Sequence, residues 1–233
     1  MNIKNLKLYH YPATRSARVK WALHEAVGDA FEIERVDLYD AQQYSAEFLR
    51  LNPNHNVPLL EIRWSNGETQ CMIESAAMVA FIADAYPEKN LAPLPSALRE
   101  RVDYLQMLHF GSTWMDMMLW QIRVHEHLLP AAERDERSLV RYRKKFTEEA
   151  EPQILQRLRN SSYICSDAFT AADCVVAHTV MWARAYGLCR ADEFKRYLST
   201  VSKRPAFLSA FADAKEFTPE VPTGKPITGL FTG

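Results

Sequence analysis

Cysteine is scarce in this sequence and never closely paired. The four in the 233-residue chain, Cys71, Cys165, Cys174 and Cys189, are widely spaced, and no Cys-x-x-Cys occurs. That spacing argues against a structural zinc site, a dithiol redox motif and a disulfide framework, and it points to a reducing compartment. No stretch approaches the roughly 20 apolar residues of a membrane-spanning helix. Residues 1–7 carry charge, with no apolar segment behind them of the kind an export signal needs. A net field is missing as well. Lys and Arg (28) nearly balance Asp and Glu (29), so nothing draws the chain to nucleic acid or to an anionic membrane. The expectation is a cytoplasmic protein whose partner is a small molecule. Apolar residues are plentiful at 48%, enough for one large domain or two modest ones.

Strand and helix signals alternate in the first third. Leu6, Leu8 and His10 alternate with Lys7 and Tyr9 as an extended segment does, and a polar turn follows over residues 12–16. Val19, Ala22, Leu23 and Ala26 then recur at helical spacing until Gly28, a natural C-terminal stop. Phe31 and Ile33 mark a second strand, residues 46–51 a short helix and residues 57–62 a third strand. Asn66-Gly67 supplies a hairpin turn into a fourth strand over 69–73. A helix over 75–86 ends against Pro87. This order, βαβ, helix, ββα, predicts an α/β thioredoxin-like domain over residues 1–86. Three prolines between 87 and 95 mark a linker. Beyond it only helical patterns remain, over 96–129, 137–159, 170–186, 192–200 and 205–215, which predicts an all-α bundle over 96–216. The Pro-, Thr- and Gly-rich residues 217–233 read as a tail.

Three constellations carry chemistry. In Asn52-Pro53-Asn54-His55-Asn56-Val57-Pro58-Leu59-Leu60 a proline opens a strand. In a thioredoxin-like order such a proline is often cis and leaves the backbone of the preceding residue, Val57, free to pair with an extended peptide. Glu74-Ser75 opens a helix, where free N–H groups and the positive end of the dipole favour a carboxylate; in isolation, a serine there is an ordinary cap. Tyr11, Thr14 and Ser16 place three hydroxyls in the loop before the first helix. His125-Glu126-His127 lacks the i, i+4 spacing of a helical metal site, so no metal is expected. Phe169-Thr170-Ala171-Ala172-Asp173 is a helix cap with a structural role.

With these motifs in this order, the chain resembles the glutathione S-transferase family, whose first domain carries Asn-Pro-x-Gly-x-Val-Pro-x-Leu. The sequence departs from that pattern at His55, where the family usually has glycine. The resemblance implies a glutathione-binding set of Asn56, Val57, Pro58, Glu74 and Ser75, with Ser75 and the helix N–H groups on the γ-glutamyl carboxylate and Glu74 on the ammonium. It implies that a hydroxyl of the first loop activates the glutathione thiol. Thr14 is the first choice, Ser16 the second and Tyr11 the third, and Arg15 stands where bacterial cysteine-type members have their thiol. Lowering a thiol pKa by about two units requires roughly 2.7 kcal/mol. One charge-assisted hydrogen bond supplies about 1.5–3 kcal/mol, and a helix N-terminus about 0.3–1 kcal/mol. Trp114 and Met118, in a helix rich in Trp and Met, are core or interface by composition, and the resemblance implies that they line the pocket for an apolar electrophile. It further implies glutathione as co-substrate, a homodimer and a detoxifying role. An isomerase, dehalogenase or peroxidase on the same fold, or a non-catalytic binding or scaffold protein, remains open at this level.

Overall fold

The computed structural model describes residues 2–220; most of the tail expected from Phe217 lies outside the described residues. A four-stranded mixed sheet of order β2-β1-β3-β4 fills the first third. β1 (Ile3–His10) pairs parallel with β2 (Glu32–Arg35) and antiparallel with β3 (Leu59–Trp64), and β4 (Thr69–Met72) closes the other edge against β3. Strand β3 begins two residues later than the sequence pattern suggests. Pro58 has no N–H for the ladder, and the Val57–Pro58 peptide is cis.

Helices α1 (Ser16–Val27) and α3 (Ser75–Ala85) pack together on one face of the sheet. Their apolar stripes, including Val19, Leu23, Met78, Val79 and Ile82, join Leu6, Leu8, Leu60 and Ile62 in the main core. The short α2 (Ala46–Leu51) covers the other face, where Phe48 meets Tyr9, Tyr11, Val36, Val57 and Leu59 in a smaller cluster. Gly28 stops α1 at φ 62°, a conformation glycine adopts without steric cost.

The rest of the described chain is helical. The pattern over 96–129 resolves into α4 (Leu98–His109) and α5 (Asp116–Arg123), each followed by a widened turn with i→i+5 bonding, Phe110–Met115 and Val124–Leu128. The first widening falls where Gly111 lets the backbone approach α8 (Ala171–Ala185): a Cβ there would stand 3.0 Å from Val176 Cγ2. The next pattern likewise splits into α6 (Glu136–Lys145) and α7 (Glu151–Asn160) around Phe146–Ala150. Helices α9 (Asp192–Val201) and α10 (Pro205–Ala210) complete the bundle, α10 ending five residues short of the sequence expectation.

The linker and helix α1 both help to join the helical part to the sheet part. Leu91 of the linker is buried, and its carbonyl accepts from Ala171 N at the start of α8. Helix α1 packs against α8 and α10 as well as α3, so it belongs to both halves. Asp173 is fully buried and accepts from the N–H groups of Ile164 (2.8 Å) and Thr170 (2.9 Å) and from the Tyr197 hydroxyl (2.8 Å). Its work is to close the loop before α8.

Candidate functional site

The loop from Tyr11 to Ser16 runs from the end of β1 into α1 and turns on Ala13, which sits at φ 53°. Its three hydroxyls have different surroundings. The Tyr11 ring is buried edge-on against Tyr39, 5.7 Å between centroids, with the Arg35 guanidinium 5.2 Å from its own centroid. Burial pushes the Tyr11 phenol up to about 12, so it stays protonated at neutral pH. Ser16 is fully buried and is the first residue of α1, while Arg15 occupies the cap position. The Ser16 hydroxyl turns back from the helix: Oγ lies 2.7 Å from His10 Nδ1, 3.0 Å from the Tyr11 carbonyl and 2.8 Å from Thr14 Oγ1, and it accepts from Tyr11 N–H at 3.2 Å. Thr14 is only half-buried, and its Oγ1 donates to the Tyr11 carbonyl at 2.8 Å or to Ser16. Of the two aliphatic hydroxyls, that of Thr14 belongs to the less buried residue.

The loop before β3 holds its shape through Asn52. This side chain is fully buried; its Nδ2 donates to the Asn56 carbonyl (2.8 Å) and to Asn56 Oδ1 (3.0 Å), and its Oδ1 accepts from Asn54 N–H (3.0 Å). His55 adopts φ 43°, a left-handed conformation that explains why glycine suits the position elsewhere. The His55 ring stacks on Tyr44 at 4.8 Å, a contact that offsets part of the backbone cost. Asn56 is exposed with its amide oxygen turned inward to Asn52, and Val57 is buried two residues before β3, outside the ladder that starts at Leu59.

Glu74, at φ 74°, leads into the N-terminus of α3. Its side chain is exposed, and Ser75 is buried with Oγ accepting from Arg18 Nη1 at 3.4 Å. Arg18 is the hub that sequence reasoning missed. Its fully buried guanidinium donates also to Asp116 Oδ2 (2.6 Å), Thr179 Oγ1 (3.0 Å) and His178 Nδ1 (3.0 Å). His178 in turn lies 3.4 Å from the Ala13 carbonyl of the first loop. Asp116 takes a second arginine, Arg15, through Nε (2.9 Å) and Nη2 (2.6 Å). Burial works against ionisation of Asp116, yet Arg18 and Arg15 hold its carboxyl below the ordinary value. One local signal was available: a single carboxylate inside Trp114-Met115-Asp116-Met117-Met118-Leu119-Trp120 is costly to bury without a cation.

Helix α5 presents Asp116, Trp120 and Arg123 at i, i+4 and i+7 toward the sheet part. The Arg15 guanidinium lies between Trp120 (4.9 Å) and Trp182 (5.1 Å), and Arg123 Nη2 lies 3.4 Å from the Tyr39 hydroxyl. Trp120 is therefore the tryptophan of this segment that meets the first loop. Trp114 sits under Lys145, 4.6 Å from Nζ to the ring, in an outer groove with Phe110 and Glu149. Met118 is fully buried in the main core. Among the described residues no group of three or more His, Cys, Asp or Glu is arranged to hold a metal ion, and no helix is long and apolar enough to cross a membrane.

Residues 4–84 match the family model of the glutathione S-transferase N-terminal domain. The disulfide-bond oxidoreductase YfcG of Escherichia coli (strain K12) is 26% identical over 217 residues, 90% of this chain and 96% of its own length. Among solved structures, a glutathione transferase from Methylococcus capsulatus str. Bath is 26% identical, with a TM-score of 0.71 over 91% of this chain and 100% of that one. A glutathione transferase family member from Pseudomonas fluorescens Pf-5, crystallised with two glutathione bound, shares the fold at a TM-score of 0.78 and 23% identity, covering 89% of this chain and 92% of its own.

Proposed function

We infer that the chain is a member of the glutathione S-transferase family, whose N-terminal-domain model its residues 4–84 match, and that it is a glutathione transferase whose thiol-activating hydroxyl is Thr14. Glutathione lies with its backbone against Val57, its γ-glutamyl carboxylate at Ser75 and the N-terminus of α3, its ammonium at Glu74 and its glycine end near Asn56. Its sulfur reaches Thr14, which donates a hydrogen bond to the thiolate, helped by the N-terminal end of α1. The electrophile occupies the seam toward α5, bounded by Tyr11, Trp120 and Trp182, and the thiolate attacks it there. The observation that carries this reading is the shared anchor of the two ends of the site. Arg18 contacts Ser75 directly and reaches the Thr14 loop through His178 and the Ala13 carbonyl. Glutathione as co-substrate, a cytoplasmic homodimer and a detoxifying role belong to the same proposal.

A second reading draws support from the relative named as a disulfide-bond oxidoreductase: the same bound thiolate would attack a disulfide sulfur instead of carbon. Two measurements decide. Retention on immobilised glutathione should fall about tenfold in Ser75→Ala, as loss of a hydrogen bond to a charged group implies; failure of the unmodified protein to bind removes both readings. Where binding holds, turnover of 1-chloro-2,4-dinitrobenzene against that of hydroxyethyl disulfide separates them. For the transferase, Thr14→Ala should raise the apparent pKa of conjugation by about 1–2 units. An unchanged pH profile would move the role off Thr14.

A further inference from the structure

Behind Thr14 and Ser16 lies a pair of titratable groups that thiol activation by a hydroxyl alone does not use. His10, at the end of β1, is buried, with Nδ1 2.7 Å from Ser16 Oγ and Nε2 3.1 Å from Asp213 Oδ2. Asp213 follows α10, 203 residues away in sequence, and also receives Lys20 Nζ at 2.7 Å. Thr14 Oγ1, Ser16 Oγ, His10 and Asp213 thus form one continuous chain of hydrogen bonds that starts at the hydroxyl of the less buried residue and ends on a carboxylate.

The direction of the chain follows from its two ends. Partial burial opposes ionisation of Asp213, but His10 and Lys20 hold its carboxyl well below the ordinary value, so it is a carboxylate. A carboxylate only accepts, which puts the imidazole hydrogen on Nε2. Burial, with Lys20 of α1 and Arg35 of β2 adding to it against Asp213, lowers the His10 pKa and keeps the ring neutral. Nδ1 is then bare, and Ser16 O–H donates to it. Tyr11 N–H fixes a second lone pair of Ser16 at 3.2 Å, and Thr14 Oγ1 stands at 2.8 Å to donate to the same oxygen. The Tyr11 carbonyl, 2.8 Å from Thr14 Oγ1, is the competing acceptor.

We propose that Thr14, Ser16 and His10, with Asp213 behind them, form a proton relay that takes up the thiol proton of bound glutathione. The inference rests on the reading that the sulfur sits at Thr14. In the step, the S–H bond breaks and its electron pair stays on sulfur. The proton passes to Thr14 Oγ1 as the Thr14 hydrogen passes to Ser16 Oγ and the Ser16 hydrogen to His10 Nδ1. The products are a thiolate and an imidazolium, with Asp213 unchanged as carboxylate. Until a thiolate faces it, buried His10 is a weak base; the negative charge forming on sulfur is what makes the imidazolium favourable, and Asp213 stabilises it on the far side. Once the thiolate has attacked and the leaving group has departed with its bonding pair, the proton returns along the same path to water. His10 and Asp213 act only through the two hydroxyls and are positioning residues.

The relay makes a proton count differ from a thiolate count. At pH 7, thiolate formed on binding glutathione is read by absorbance at 240 nm. Protons released are read by calorimetric titration in buffers of different ionisation enthalpy, with S-methylglutathione, which has no thiol proton, subtracted as blank. The unmodified protein should form thiolate while releasing well under one proton per thiolate, and His10→Gln and Asp213→Asn should each release about one. Asp213 is partly exposed, so its variant serves if His10→Gln fails to fold. A full proton per thiolate from the unmodified protein overturns the relay and leaves the transferase reading intact. Absence of thiolate on binding overturns the placement of sulfur at Thr14 and the relay with it.

Discussion

At the scale of single residues, the site is held by buried groups that are forced into one protonation state. His178 is the sharpest case. Burial and the adjacent Arg18 guanidinium lower its pKa to about 3, and Arg18 Nε–H occupies its Nδ1. In the unfolded chain a histidine titrates near 6.5. Between those values the unfolded state carries a proton that the folded state does not, so stability rises with pH and is lost as pH falls below about 6.5. From pH 7 to pH 5 this one group should cost about 2 kcal/mol. Urea unfolding at the two pH values measures the loss, and His178→Gln should remove that share of it. An equal pH dependence in both proteins would mean that His178 is protonated in the fold. Neither this histidine nor His10 was legible in the sequence as part of a site, because the charged partner of each is distant in the chain: Arg18 lies 160 residues from His178, and Asp213 lies 203 from His10. Val57-Pro58, Glu74-Ser75 and Thr14, the contacts proposed for glutathione, lie by contrast just before β3, at the start of α3 and in the loop between β1 and α1, where local pattern suggests which backbone groups are unpaired.

At the scale of elements, periodicity located nearly every helix and strand but not the interruptions inside helices. The stretch over 96–129 reads as one helix because the apolar spacing persists through it. The widened turn at Phe110–Met115 is a tertiary effect: α4 and α8 approach closely at Gly111, where a Cβ would meet Val176 Cγ2 at 3.0 Å and Val175 Cγ1 at 3.2 Å. A glycine in a helix costs about 0.5–1 kcal/mol relative to alanine, so something must favour it here, and the crossing is that something. Gly111→Ala should be close to neutral, its helix gain offset by the tight contact. Gly111→Leu should destabilise by about 1–3 kcal/mol through overpacking, seen as a fall of the urea midpoint by about 1 M. A leucine variant as stable as the parent would show that the helices do not meet so closely. The crossing matters to the site because Thr179 Oγ1 reaches both Gly111 O (3.3 Å) and Arg18 Nη2 (3.0 Å).

At the scale of the whole molecule, α1 welds the two halves. Arg15 and Arg18 bond Asp116 of α5, Lys20 bonds Asp213, and Glu25 takes Arg204 through two hydrogen bonds of 2.6 and 2.8 Å. Parting the two halves would therefore break these ion pairs, of which Arg18–Asp116 is buried on both sides. The outer side of α4 is different. Leu98, Val102 and Leu105 follow one another at i, i+4 and i+7 and are 72%, 65% and 38% exposed, with Leu94 of the linker 60% exposed nearby. Isolated exposed apolar side chains are ordinary, and we propose this stripe at helical spacing as the contact surface of the proposed homodimer. Covering each such side chain with a second copy is worth about 1.5–3 kcal/mol at full burial, and a stable homodimer buries about 1,200–2,000 Å². Light scattering after size exclusion should give twice the chain mass of 26.8 kDa. Val102→Glu should shift the protein to monomer, since a carboxylate facing its own copy across an apolar interface is both desolvated and repelled. Because Val102 is mostly exposed in the single chain, the variant should fold, and a Val102→Glu protein that stays dimeric would place the interface elsewhere.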